Sequence, residues 1–235
     1  MKIKTYIINL ERRLDRKNQI KKIIPNLLDF QFTSDIGINF DGRNVQLQIL
    51  PDVKLYDWEI ESDNEWWARP LKLGEVGCSL AHLSVWELAQ KENLDKVLIL
   101  EDDVFFDVGF QTKFEQYLNI LETKTSWDLF YLGRYRLPYP DEHFENDIVI
   151  PGYSHCTYAY ALSKKGIKKI LGCNFHRNLI PVDEYLPALY TNHPRKDIRE
   201  LYPKIMEAYA LINDIVFQEN KKIAGSDTED SNSVK

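Results

Sequence analysis

Methionine and cysteine are both scarce in this 235-residue chain, at two and three residues. Cys78, Cys156 and Cys173 cannot all pair within one chain, and none stands in the CxxC spacing of a zinc or redox centre. A disulfide-stapled scaffold is thereby excluded, and a reducing compartment fits. His82, His143, His155, His176 and His193 show no pairing at metal-ligand spacing, so no zinc is assigned. No apolar run approaches membrane-spanning length. The opening apolar stretch is too short, and too soon interrupted by charge, for a signal peptide, and Asn-x-Ser/Thr acceptors are absent. These absences predict a cytoplasmic protein without a transmembrane segment, at most peripheral to a membrane. Positive charge is also short: 30 Lys and Arg face 36 Asp and Glu, a net of -6. Non-specific nucleic-acid binding is a poor fit to that balance.

What is present suits one globular core. Hydrophobic residues make up 44% and aromatics 12%, and the length predicts a single domain. Residues 6–10 read as a strand and 11–22 as a helix, followed by an irregular stretch over 35–70, a long active-site loop or lid with a turn at Asp41-Gly42. Helices are predicted over 78–91, 110–121 and, with Ser163 as N-cap, 163–171. Strands are predicted over 96–100, 128–132 and 157–162. Residues 181–190 read as a turn opening a short helix, and 201–217 mix helical and strand signals. The last dozen residues, rich in Ser, Asp and Glu, read as a mobile tail. Alternating strands and helices predict an α/β fold with a mainly parallel central sheet.

In an open α/β sheet the ligand site lies at the carboxyl ends of the strands. The apolar run of 96–100 ends in Glu101-Asp102-Asp103, three carboxylates that repel one another unless a cation neutralises them. Hard oxygen ligands suit Mn²⁺ or Mg²⁺ bridging to phosphates. The bland alternative is a solvated acidic turn. Asp183-Glu184, between Pro181 and Pro187, offers a candidate general base, against the alternative of a helix-start pair that stabilises the macrodipole. Arg12, Arg13 and Arg16 could meet a diphosphate or line a solvated helix face. His82 could contact a ligand or simply be packed, and Trp58, Trp66 and Trp67 could stack on a sugar or cover core. Cys78 lacks a base partner for nucleophilic catalysis. A nucleotidyltransferase would need a Gly-rich phosphate loop near the N-terminus, and none is present.

Several motifs together resemble glycosyltransferase family 25, the lipooligosaccharide and procollagen galactosyltransferases. They are Ile7-Ile8-Asn9-Leu10-Glu11-Arg12-Arg13-Leu14-Asp15-Arg16, then Asp41-Gly42, Gly74-Glu75-Val76-Gly77-Cys78-Ser79-Leu80-Ala81-His82 with Trp86, and Leu98-Ile99-Leu100-Glu101-Asp102-Asp103. Trp127 to Arg134, Tyr158 to Ser163 with Gly166, and Pro181-Val182-Asp183-Glu184-Tyr185-Leu186-Pro187 are similar to the collagen branch, and Ser226-Asp227-Thr228-Glu229 to a segment near the family's active site. Two departures stand out. Ala81 replaces a frequent Ser, and Gln218-Glu219-Asn220 stands where the collagen branch carries a histidine.

The resemblance implies a single-domain GT-A (Rossmann-like) fold, with residues 1–223 as catalytic domain and 224–235 as tail. It implies a UDP-galactose or related UDP-hexose donor, a Mn²⁺ (or Mg²⁺) ion and inversion at the anomeric carbon. Asn9, Arg12, Arg13, Asp15, Arg16, Asp41, Gly42 and His82 would serve the donor. Glu101, Asp102 and Asp103 would serve the metal, and Asp183 the acceptor proton, with Glu184 as substitute. The acceptor would be a hydroxyl on a lipooligosaccharide-type glycan or on hydroxylysine of a collagen-like protein. The competing reading is a catalytically inactive binding or adhesion module on the same fold.

Overall fold

The computed structural model describes residues 3–26, 28–44 and 52–234. The strands are β1 (Ile3–Ile8), β2 (Leu28–Phe32), β3 (Lys96–Glu101), β4 (Val104–Phe106), β5 (Leu129–Arg136), β6 (Glu142–Glu145), β7 (Ile148–Ile150), β8 (Ser154–Ser163), β9 (Ala208–Leu211) and β10 (Val216–Gln218). The helices are α1 (Leu14–Ile23), α2 (Leu73–Lys91), α3 (Phe110–Lys124), α4 (Lys164–Gly172), α5 (Val182–Tyr190), α6 (Lys196–Leu201) and α7 (Lys221–Ala224).

Eight strands form one sheet in the order β2-β1-β3-β8-β5-β9-β7-β6, and β4 and β10 pair apart from it. β1 lies parallel to β2 and β3, and β9 parallel to β5. β8 runs antiparallel between β3 and β5, and β7 antiparallel between β9 and β6. The sheet is therefore parallel in direction except at β7 and β8, which is the mainly parallel α/β architecture expected. Both faces of β3 are covered. Val97 and Ile99 enter one core with Trp86 and Tyr160, while Leu98 and Leu100 enter the other with Phe114 and Phe130. A strand buried on both faces has no polar side, which is why its sequence is an unbroken apolar run.

α2 starts at Leu73, a turn and more before the expected residue 78. Gly74 and Gly77 precede the expected start yet lie within the helix, and glycine stands at both because neighbouring backbone passes too close for a side chain. A Cβ at Gly77 would sit 2.2 Å from the Phe40 carbonyl oxygen, and one at Gly74 2.6 Å from that of Asp227. α1 starts later than expected, at Leu14, because residues 10–13 close a turn through Arg13 N–H to the Leu10 carbonyl at 2.9 Å. Ser163 caps α4 as predicted, accepting from Gly166 N–H at 3.1 Å. The mixed stretch 201–217 resolves into β9, with all four residues buried, and part of β10.

The composition of the last dozen residues misleads. Among the described ones, Leu73 N–H donates to the Asn232 carbonyl at 2.7 Å, Gly74 N–H to Ser231 Oγ at 2.8 Å, and Val234 N–H to the Leu71 carbonyl at 2.7 Å. The segment thus satisfies the orphan donors that begin α2 and lies as a strap across the molecule. Part of the expected lid, residues 45–51, lies outside the described residues. Among the described residues no helix is long and apolar enough to cross a membrane.

Candidate active site

β1 and β3 end side by side, with Ile8 opposite Glu101. Two adjoining clefts open at these carboxyl ends. The first is bounded by Glu101, Asp103, Asp183, Gln218 and Trp66, the second by Asn9, Asp102, Gly42 and Gly74. Arg16, Cys78, Glu101, Asp227 and Thr228 line both.

The three carboxylates after β3 divide. Asp102 is buried, with one oxygen accepting from Asn9 Nδ2 at 2.6 Å and the other from Arg16 Nη1 at 2.9 Å. Both of its oxygens are engaged, so of the three carboxylates expected at a metal Asp102 also anchors the basic turn, while Glu101 and Asp103 line the first cleft. Glu101 and Asp103 share the amide of Gln218, whose Nε2 lies 3.4 Å from Glu101 Oε2 and 3.3 Å from Asp103 Oδ1. Burial, and then repulsion from Glu101, push the Asp103 carboxyl up to about 7. Arg16 Nη1 stands 3.3 Å from Asp103 but is nearer to Asp102. A pair of facing carboxylates with so little opposite charge is what a hard divalent cation would neutralise.

The basic turn meets the strap. Arg12 Nε donates to Asp41 at 2.5 Å, and Arg12 Nη2 to Asp227 at 2.6 Å. Arg13 Nη1 donates to the other Asp227 oxygen at 2.5 Å, and Arg16 Nη2 to the Gly225 carbonyl at 2.9 Å. Arg12 and Arg13 hold Asp227 below the usual carboxylate range despite its burial. Gly42 belongs here by shape, since a Cβ on it would lie 2.5 Å from Gly74 N. Asp15 does not face the clefts: it is two-thirds exposed and paired with Arg13.

At the start of α5 the two acidic residues have opposite surroundings. Glu184 is fully buried and accepts from Tyr153 Oη at 2.5 Å and Trp67 Nε1 at 3.2 Å. His193 Nε2 is 2.6 Å away and His155 Nε2 3.5 Å. Against the upward push of burial, His155 and His193 hold its carboxyl far below the ordinary glutamate value. Such a group is a structural anchor, and the idea of Glu184 as substitute base fails on access. Asp183 faces the first cleft, and no described side chain hydrogen-bonds its carboxylate. Burial raises it to about 7, with His155 opposing and Glu184 adding to the rise.

His82 corrects another expectation. It is fully buried and lines neither cleft; its Nδ1 pairs with Tyr160 Oη at 2.7 Å and its Nε2 sits 3.8 Å from Glu101 Oε1. Trp58 is core, Trp67 supports Glu184, and Trp66 alone of the three borders the first cleft, with Arg69 over its ring. Sequence reasoning missed Thr157, which donates to Glu101 Oε1 at 3.1 Å, and Glu75, whose carboxylate is bound by Arg69 and by Lys72 N–H. Thr157 has no local signal, because it acts on a residue 56 positions away, whereas Glu75 at the third position of α2 makes the capping-box bond to Lys72 N–H that helix starts favour.

A model of the family described as "Glycosyltransferase family 25 (LPS biosynthesis protein)" matches residues 2–186. A "Glycosyltransferase 25 family member" of Aedes aegypti is 36% identical over 81% of the chain, covering 31% of that protein. "Procollagen galactosyltransferase 1-A" of Xenopus laevis is 33% identical over 82% of the chain and 32% of its own length. "Inactive glycosyltransferase 25 family member 3" of Homo sapiens is 32% identical over 87% and 35%. The chain spans about a third of the length of these curated relatives.

Proposed function

The chain belongs to glycosyltransferase family 25, and from that premise we propose that it is an inverting transferase moving galactose, or a related hexose, from its UDP derivative to a hydroxyl acceptor. The acceptor is a glycan of the lipooligosaccharide type or a hydroxylysine of a collagen-like protein. The observation that carries the reading is Asp183: a carboxylate raised to about 7, free of described hydrogen-bond donors, in the same cleft as Glu101 and Asp103.

In a single displacement the acceptor oxygen attacks the anomeric carbon while the bond to the diphosphate breaks, and UDP leaves with the electron pair. Asp183 takes the acceptor proton. Glu101 and Asp103 would hold Mn²⁺ or Mg²⁺, which when bound supplies charge neutralisation at the departing diphosphate. Asn9, Arg16 and Asp102 form a bonded unit that fixes the carboxyl end of β1 against that of β3. Arg12 and Arg13 stand behind the second cleft, holding Asp41 and Asp227, and would serve the donor through Asp227 and Gly42, which line it.

The test is metal-dependent UDP release from UDP-galactose, with and without hydroxyl acceptors, on wild type and Asp103→Asn. Turnover with Mn²⁺, its loss in excess chelator and its absence in the variant are expected. Undiminished turnover in chelator, or in Asp103→Asn, contradicts the reading. UDP binding without turnover under every acceptor would instead support the inactive binding module, and one relative is itself named inactive.

A further inference from the structure

We propose that Cys78, His82 and Glu101 form a second cation site, built for a thiophilic divalent ion of the zinc class and adjoining the hard site at Asp103, with which it shares Glu101. Cys78 Sγ, one imidazole nitrogen of His82 and one carboxylate oxygen of Glu101 all lie within 4.8 Å of one another. His82 Nε2 and Glu101 Oε1 are 3.8 Å apart. Ligand atoms around a tetrahedral zinc, with bonds near 2.0–2.3 Å, stand about 3.3–3.8 Å from each other. A small contraction therefore closes the site.

The arrangement follows from the fold. Cys78 and His82 are four residues apart on α2, so both project from one helix face. Glu101 ends β3 opposite that face. Tyr160 Oη accepts from Trp86 Nε1 at 2.9 Å and pairs with His82 Nδ1 at 2.7 Å, which fixes the ring and presents Nε2 to Glu101. A partner on the remaining ring nitrogen is the usual support of a metal-binding imidazole. The two oxygens of Glu101 face different neighbours: Oε1 lies near Thr157 and His82, and Oε2 near Gln218, which also touches Asp103. One carboxylate thus stands between an oxygen-only site and a sulfur–nitrogen–oxygen site. Thiolate and imidazole select zinc-class ions over magnesium or calcium.

Without a cation the thiol is protonated, since burial and then the charges of Glu101 and Asp183 raise it well above the ordinary cysteine value. Binding replaces that proton, which passes to solvent as the sulfur–metal bond forms, with no change in oxidation state. The helical spacing was readable in the sequence, but nothing local tells that Glu101 completes the set.

Titration of the full chain with Co²⁺ in a phosphine-reduced, thiol-free buffer tests the proposal through the thiolate-to-cobalt charge-transfer absorption. One equivalent should generate the band, Zn²⁺ should abolish it, and Mg²⁺ in large excess should leave it. Cys78→Ser should lose the band, while Cys156→Ser, Cys173→Ser and Asp103→Asn should keep it. Cys156 is the informative control, because it lines the same cleft. No band in wild type, a band that survives in Cys78→Ser, or one lost in Cys156→Ser would overturn the assignment. Should Cys78→Ser fail to fold, Zn²⁺ protection of Cys78 against alkylation in wild type, read by peptide mass spectrometry, decides instead: equal labelling with and without Zn²⁺ refutes the site.

Discussion

Asp183 and Glu184 are adjacent in sequence and opposite in chemistry, and the difference lies in what each touches. Asp183→Asn keeps the shape but lacks a basic oxygen, so kcat should fall by roughly two to four orders of magnitude, with UDP affinity and melting temperature preserved. Because the Asp183 carboxyl is raised to about 7, wild-type turnover should climb as pH rises through that value and level off above it. A flat profile would exclude Asp183 as base. Glu184 should behave as a stability residue. Its folded value is lowered from 4.5, so its contribution is present above that ordinary value and is lost as pH falls toward the lowered one. Glu184→Gln leaves His155 and His193 without a charged partner in a buried site. Loss of a charge-assisted hydrogen bond in such a site costs about 1.5–3 kcal/mol, measurable by urea unfolding at neutral pH. A loss below about 1 kcal/mol would place the network among weak, solvent-exposed pairs.

Elements were legible in proportion to how locally their residues are determined. The β3 run and the Ser163 cap could be read from sequence because apolar continuity and a capping hydroxyl act within a few residues. The start of α2 and the strap could not, because Gly74 and the residues around Asp227 take their conformations from each other. Gly74→Ala tests this coupling. Alanine favours a helix over glycine by about 1 kcal/mol, yet its Cβ would lie 2.6–2.7 Å from Asp227, Thr228 and Ser231 atoms. The strap should yield rather than the helix. Weaker UDP binding by calorimetry and faster proteolysis around residues 225–231, with an unchanged melting temperature, are the expected outcome. Unchanged affinity and protease pattern would separate the strap from the donor site.

At the scale of the whole molecule, the acidic strand end and the basic turn were predictable because open α/β sheets place ligands at strand carboxyl ends. Their division of labour was not: that Asp102 anchors Arg16 while Asp103 faces Asp183's cleft depends on contacts across 86 positions of chain. The surroundings of His82 were hidden for the same reason, since its partner Tyr160 is 78 residues away. The Arg12–Asp227 pair reaches furthest, joining residues 215 apart. Contacts of such separation form late, because the loop they close must be ordered first. During synthesis the central strands can pair while the Arg12–Asp227 contact is still open, so a nascent chain has a sheet before it has the cleft proposed for the nucleotide. Refolding followed by tryptophan fluorescence should accordingly finish before UDP binding is recovered, and simultaneous recovery of the two signals would contradict that order.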